Sequence, residues 1–128
     1  MKILLDSYAL VWFLAGDARF SRYARKTIDE NDPTLYVSAA SAWEIANKVR
    51  IGKWPEAAKL VAGFSEAMAE FKLEPLAVTV EHGHLAGSLP GPHRDPFDRM
   101  LAAQAQIENV PLVTGDPVFR AFGTRVLW

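Results

Sequence analysis

Four carboxylates stand out by their surroundings: Asp6 after "KILL", Glu44 within "SAWEIANK", Asp98 in "HRDPFDR" and Asp116 in "LVTGDPV". Two of them close short apolar runs of the kind that form buried strands. The other two fall in the opening turns of segments with helical apolar spacing. Carboxylates brought together from remote segments repel, and some take up protons near neutral pH unless a cation shares the charge. Hard divalent cations suit all-oxygen ligands, and Mg²⁺ pairs a few carboxylates with its own waters and a substrate phosphate. The chemistry of such a cluster is in-line displacement at phosphorus.

Each acid also has an ordinary structural use. Asp6 is placed to cap a helix starting at Ser7. Glu44 has Lys48 four residues on, the favourable order for a helical ion pair. Asp116 lies in "GDP", a turn signal followed by the helix starter Pro117. The stretch "HRDPFDR", residues 93–99, separates the two uses. Asp95 is the natural N-cap, Pro96 suits the first helical position, and Asp98 falls at the third. With the cap already supplied, Asp98 is free to point outward at a helix N-terminus, where negative charge is tolerated. Asp95 is therefore read as structural and Asp98 as functional.

The elements that must position these groups alternate in type. "KILL", "TLYVS", a weak "LEPLAV", "PLVT" and "TRVLW" read as strands. Between them, "SYALVWFLAG" predicts a helix with Leu10, Phe13 and Leu14 on one side, and "RFSRYARKTIDEN" a second capped by Ser21. "SAWEIANKVRIG" predicts a third, with Trp43, Ala46 and Val49 in register. "EAAKLVAGFSEAMAEF" predicts one continuous helix striped by Leu60, Phe64, Ala67 and Phe71. "VEHGHLAGSL" and residues 96–109 complete the set, with "VFRAFG" a helical turn. Strands separated by helices require parallel crossovers, so the expected class is α/β: one domain over residues 1–128, with helices on both faces of a mostly parallel sheet. In open sheets of this kind ligands bind outside the carboxyl ends of the strands. Asp6 and Asp116 fall at that rim directly; Glu44 and Asp98 reach it from the N-termini of their helices.

Half of the 128 residues are apolar, enough for a sizeable core. No uncharged apolar run reaches about 18 residues, so no membrane span is expected. The start "MKILLDSYALVWFLAG" is read as mature structure rather than a signal peptide, because Asp6 interrupts it and no small-residue cleavage site follows. The absence of cysteine removes disulfides and thiolate metal sites and fits a cytoplasmic location. The formal charge of −1 is unlike that of a typical nucleic-acid binder, but setting four carboxylates aside for a cation leaves +3.

Taken together, "LLDSYALVWFL", "VSAASAWEIANKVRIGKW", "HRDPFDRMLAAQA" and "LVTGDPVF" resemble, in order and over nearly the whole chain, the four blocks of a PIN domain of the VapC toxin type. The resemblance implies a three-layer α/β/α fold and a metal-dependent endoribonuclease using Mg²⁺ or Mn²⁺, one or two ions. It places Asp6, Glu44, Asp98 and Asp116 as the acidic site, with Ser7 and Thr114 in support. It further implies a cognate antitoxin whose C-terminal segment covers the site, a homodimer, and products ending in 5′ phosphate and 3′ hydroxyl.

RNA would need basic and aromatic groups around the rim. Lys48, Arg50, Lys53, Arg94 and Arg99 are the candidates, against their ordinary use as solvated surface charge. Trp12 and Trp43 are expected in core or interface packing, with base stacking as the alternative. His82, His84 and His93 are read as half-buried structural positions rather than ligands. Two other functional classes compete. A phospho-receiver module would need adjacent acids after the first strand and a lysine after a late one. Here "LLDSY" has a single acid and no lysine follows Lys72. A non-catalytic RNA-binding domain would gain nothing from four convergent acids without metal.

Overall fold

The computed structural model describes residues 1–128. Its centre is the strand β1 (Lys2–Leu5), whose last three side chains are all fully buried. A run of apolar residues without polar alternation suits a strand covered on both faces, as parallel sheets require. Beside it lie β2 (Thr34–Ser38), β3 (Glu74–Leu76), β4 (Leu112–Val113) and β5 (Val126–Leu127), in the order β3-β2-β1-β4-β5. Every pairing is parallel, so the sheet expected to be mostly parallel is wholly so. Pro75 is accommodated because β3 is an edge strand.

Eight helices connect the strands: α1 (Ser7–Ala15), α2 (Arg22–Asn31), α3 (Ala39–Arg50), α4 (Ala58–Ala62), α5 (Phe64–Glu70), α6 (Val80–Ser88), α7 (Pro96–Ile107) and α8 (Val118–Ala121). Alternation along the strands divides the core in two. Ile3, Leu5, Leu35, Val37 and Val113 face a cluster that includes Leu10, Phe13, Ala24, Ile28 and Ile45. Leu4 and Leu112 face the opposite cluster with Ala86, Leu101, Ala102, Ala105 and Phe119. This is the expected three-layer arrangement, with α6, α7 and α8 on the second face.

Two details differ from the sequence reading. The helix expected over residues 56–71 is divided: a 3₁₀ turn (Pro55–Ala57) leads into α4, and Gly63 separates α4 from α5. The Gly63 amide shares the Lys59 and Leu60 carbonyls at 3.2 Å each, while its carbonyl starts the next helix. Glycine's high helix cost makes it the cheapest place to break. On α3 the buried face is Ala40, Ser41, Glu44 and Ile45, whereas Trp43 is 65% exposed. The apolar period placed Trp43 inward; the tertiary fold turns the small residues and the glutamate inward instead.

The topology selects a place for chemistry. The chain runs from β1 outward through β2 to β3, then returns to build β4 and β5 on the other side of β1. The switch lies between β1 and β4, and their carboxyl ends open the crevice where open α/β sheets bind ligands. Leu5, fully buried beneath that crevice, is expected to cost about 2–5 kcal/mol when replaced by alanine, read by urea unfolding.

Candidate active site

Asp6 and Asp116 leave the carboxyl ends of the two strands that flank the switch. The Asp6 amide donates to the Val113 carbonyl at 3.1 Å, which ties the end of β1 to the end of β4. Its carboxylate caps α1 by accepting from the Ala9 amide at 2.6 Å and also takes a hydrogen bond from the Thr114 hydroxyl. That hydroxyl accepts in turn from the Asp116 amide at 3.0 Å. Asp116 is exposed and starts the turn into α8 by accepting from the Val118 amide at 3.0 Å.

Glu44 comes from α3, which begins at the end of β2 under a Ser38 cap. The residue is only 3% exposed. Oε1 accepts from the Ser7 hydroxyl at 2.6 Å, and Oε2 from the Lys48 ammonium at 2.7 Å. Asp98 comes from the first turn of α7. Asp95 caps that helix through the Phe97 and Asp98 amides at 2.9 and 3.1 Å, and Pro96 occupies the first helical position. The Asp98 carboxylate is therefore not needed for capping, and its Oδ2 meets His93 Nε2 at 2.8 Å.

Asp6, Glu44, Asp98 and Asp116 line one cavity of about 630 Å³, together with Ser7, Lys48 and Asp95. Tyr8, Trp12, Arg19 and Trp128 form the wall on the α1 side. Gly115 allows the close approach of that wall, since a Cβ there would meet the Trp128 indole at 2.9 Å. Arg19 is held at the rim by Asp17 and Glu56 and lies over the Trp12 ring.

The electrostatics are those of crowded acids. Burial pushes the Asp6 carboxyl up to about 6, against the lowering effect of Thr114 and Ala9, and the charges of Asp98 and Glu44 add to the rise. Burial likewise raises Asp98; the hydrogen bond from His93 opposes this, and Asp95 and Glu44 add to it. Burial works against the charge on Lys48, but Glu44 more than offsets it and holds the ammonium above its usual range. All-oxygen donors crowded into one cavity fit a hard divalent cation. They are not yet gathered as a ligand set, because no three acidic or imidazole groups are disposed to hold an ion. Each carboxylate is satisfied by an internal donor instead, so an ion would have to exchange with those donors.

The basic residues expected at the rim fall into three groups. Lys48 lies inside the cavity, bound to Glu44. Arg50, Lys53 and Arg94 are exposed and do not line it. Arg99, expected as an RNA contact, is committed elsewhere: its guanidinium donates to the Ala86 and His93 carbonyls, at 2.8 Å each, and to that of Leu89. A fork with all three nitrogens on backbone carbonyls fastens the loop 89–95 and leaves little for a phosphate. That loop carries His93, which was read as structural and is in fact the partner of Asp98. The only signal for it in the sequence is its place directly after a short Pro-Gly-Pro loop, five residues before the acid. His82 matches its structural reading, buried with Nδ1 and amide both bonded to Thr79.

The profile of the PIN domain family matches residues 3–124. The chain belongs to the PIN domain family. Solved structures similar to this PIN domain include VapBC2 of Rickettsia felis bound to a DNA fragment from its promoter, at 18% identity and TM-score 0.71, covering 99% of this chain and 98% of that one. DNA-bound VapBC of Salmonella typhimurium has 19% identity and TM-score 0.68, covering 99% and 97%. VapC20 of Mycobacterium tuberculosis, a toxin that cleaves the sarcin–ricin loop, has 17% identity and TM-score 0.67, covering 96% of each chain. At such identities the likeness speaks for the fold. No curated protein matches this PIN domain.

The raised carboxyl of Asp6 has a measurable consequence. Asparagine retains the cap but not the charge. Because the folded-state value lies above the ordinary 3.8, charging Asp6 costs folding stability that is fully felt above about pH 6 and absent below about 4. In chelator, Asp6→Asn is expected to be more stable than the parent at pH 8 by up to about 3 kcal/mol, and to lose that advantage at pH 4, as followed by urea unfolding at both pH values. Asp95→Ala removes a cap and is expected to lower stability by about 0.5–2 kcal/mol in the same assay.

Proposed function

We propose that this PIN domain is a metal-dependent endoribonuclease and the toxin of a type II toxin–antitoxin pair, acting in the cytoplasm. The observation that supports the reading best is the convergence of Asp6, Glu44, Asp98 and Asp116, from four separate segments, on one cavity at the switch point of the sheet. Membership of the PIN family and the likeness to VapC toxin structures lend it further support.

Asp6, Glu44, Asp98 and Asp116 would hold one or two Mg²⁺ or Mn²⁺ ions. A bound divalent cation supplies neutralisation of the phosphodiester charge and a water of lowered pKa. The chain's own residues do the rest. Ser7 orients Glu44, Thr114 links Asp6 to the Asp116 turn, and His93 orients Asp98. The attacking water gives up its proton to solvent, and the departing 3′ oxygen takes one from it. Water attacks phosphorus in line, the bond to the 3′ oxygen breaks, and the products carry a 5′ phosphate and a 3′ hydroxyl. Tyr8, the exposed aromatic of the cavity wall, offers an apolar surface to a base beside the cleaved bond.

The partner proposed is a cognate antitoxin that covers the cavity, by analogy with the VapBC complexes. A homodimer is proposed on the apolar patch of Trp43, Val78, Pro96, Phe97 and Met100, where Trp43 and Phe97 stack edge to face at 4.8 Å. The phospho-receiver alternative gains no support, since the cavity holds one lysine and it comes from α3, not from the end of a late strand.

Asp98→Asn is expected to lower Mg²⁺-dependent RNA cleavage at least about a hundredfold while the circular dichroism spectrum and melting remain those of a folded protein. Undiminished cleavage by the purified variant would overturn the assignment.

A further inference from the structure

Lys48 is one helical turn beyond Glu44, yet the pair is unlike an ordinary surface ion pair. Glu44 is almost fully buried, and the Lys48 side chain is only 26% exposed. The ammonium sits 5.1 Å from the Tyr8 ring centroid and 5.8 Å from that of Trp54, with the two rings 4.4 Å apart. The Tyr8 hydroxyl is 3.5 Å away. One carboxylate and two aromatic faces therefore cage a single positive charge at the inner wall of the cavity.

The two oxygens of Glu44 are not equivalent. Oε1 is held by the Ser7 hydroxyl, which is itself 2% exposed and makes that contact from the first residue of α1. Oε2 is held by the ammonium at the end of a four-carbon stem with several rotatable bonds. An ion entering the cavity meets the same lone pairs already occupied by a cation, and a positive charge that it must displace or repel.

We infer that Lys48 is a built-in competitor of the metal: it neutralises Glu44 while the site is empty of cations and must surrender Oε2 for an ion to bind. Once displaced, the ammonium stays tethered beside the cavity by its stem, where the substrate phosphate becomes its next anionic partner. The protein thereby stays folded around its buried carboxylates without metal and holds the ion less tightly than its four acids alone would. The inference deepens the metal-dependent reading of this cavity and rests on it.

Lys48→Met keeps the aliphatic packing on Tyr8 and Trp54 and removes the charge. In titration calorimetry with Mn²⁺ at pH 8, the variant is expected to bind at least about tenfold more tightly than the parent. In chelator it is expected to melt lower than the parent, and saturating Mn²⁺ to raise its melting temperature by more. Lys48→Arg keeps the charge and is expected to remain within about threefold of the parent affinity. Lys48→Gln, which can still donate to Glu44 without charge, is expected to follow the methionine variant and serves if that one folds poorly. If the parent binds Mn²⁺ and the neutral variants bind it equally or more weakly, Lys48 is a positioning group and the competitor role is overturned, with the metal site intact. If neither the parent nor any variant binds Mn²⁺, the metal reading of the cavity falls and the competitor role with it.

Discussion

Repulsion among buried carboxylates is the constraint around which this PIN domain is organised. Asp6 is 6% exposed, Glu44 3%, and each lies within the field of the other and of Asp98. Carboxylates out of water need donors or counter-charge, or they take up protons. The fold supplies several kinds of compensation from its own groups: a helix N-terminus for Asp6, a hydroxyl and an ammonium for Glu44, an imidazole for Asp98 and a backbone amide for Asp116. The elements that deliver these partners are the same ones that deliver the acids.

The parallel sheet makes this economy possible. All carboxyl ends face one edge, and the reversal of strand order between β1 and β4 opens a crevice there rather than a closed surface. Helices beginning at that edge bring their N-termini, so Asp6 caps the helix it precedes while facing the cavity. Asp95 and Asp98 divide the same two tasks between them on α7, because Pro96 and the cap consume only one carboxylate. Function and local stability are coupled at Asp6 and separable at α7.

A second layer of residues holds the first in place. Arg99, with its guanidinium spread over three backbone carbonyls, fixes the loop that presents His93 to Asp98. Gly115 lets Trp128 close the wall beside Asp116. Arg99 does not line the cavity and Gly115 has no side chain to present to it, yet each sets the position of a group that does.

The letters alone determined a good deal. Continuous apolar runs bounded by turn residues announce buried strands, 3.6-residue spacing announces helices, and their alternation requires parallel crossovers. From that class the rim follows, and with it the proximity of Asp6, Glu44, Asp98 and Asp116, because strand ends and helix starts are local features. What the letters left open depends on partners distant in sequence. The inward turn of Glu44 and the outward turn of Trp43 follow from how α3 packs on α1. The diversion of Arg99 from solvent to the 89–95 loop, the meeting of His93 with Asp98 and the cage around Lys48 arise the same way. A side chain's period says which face of a helix it occupies; only the packed neighbour decides which face is buried and what it touches there.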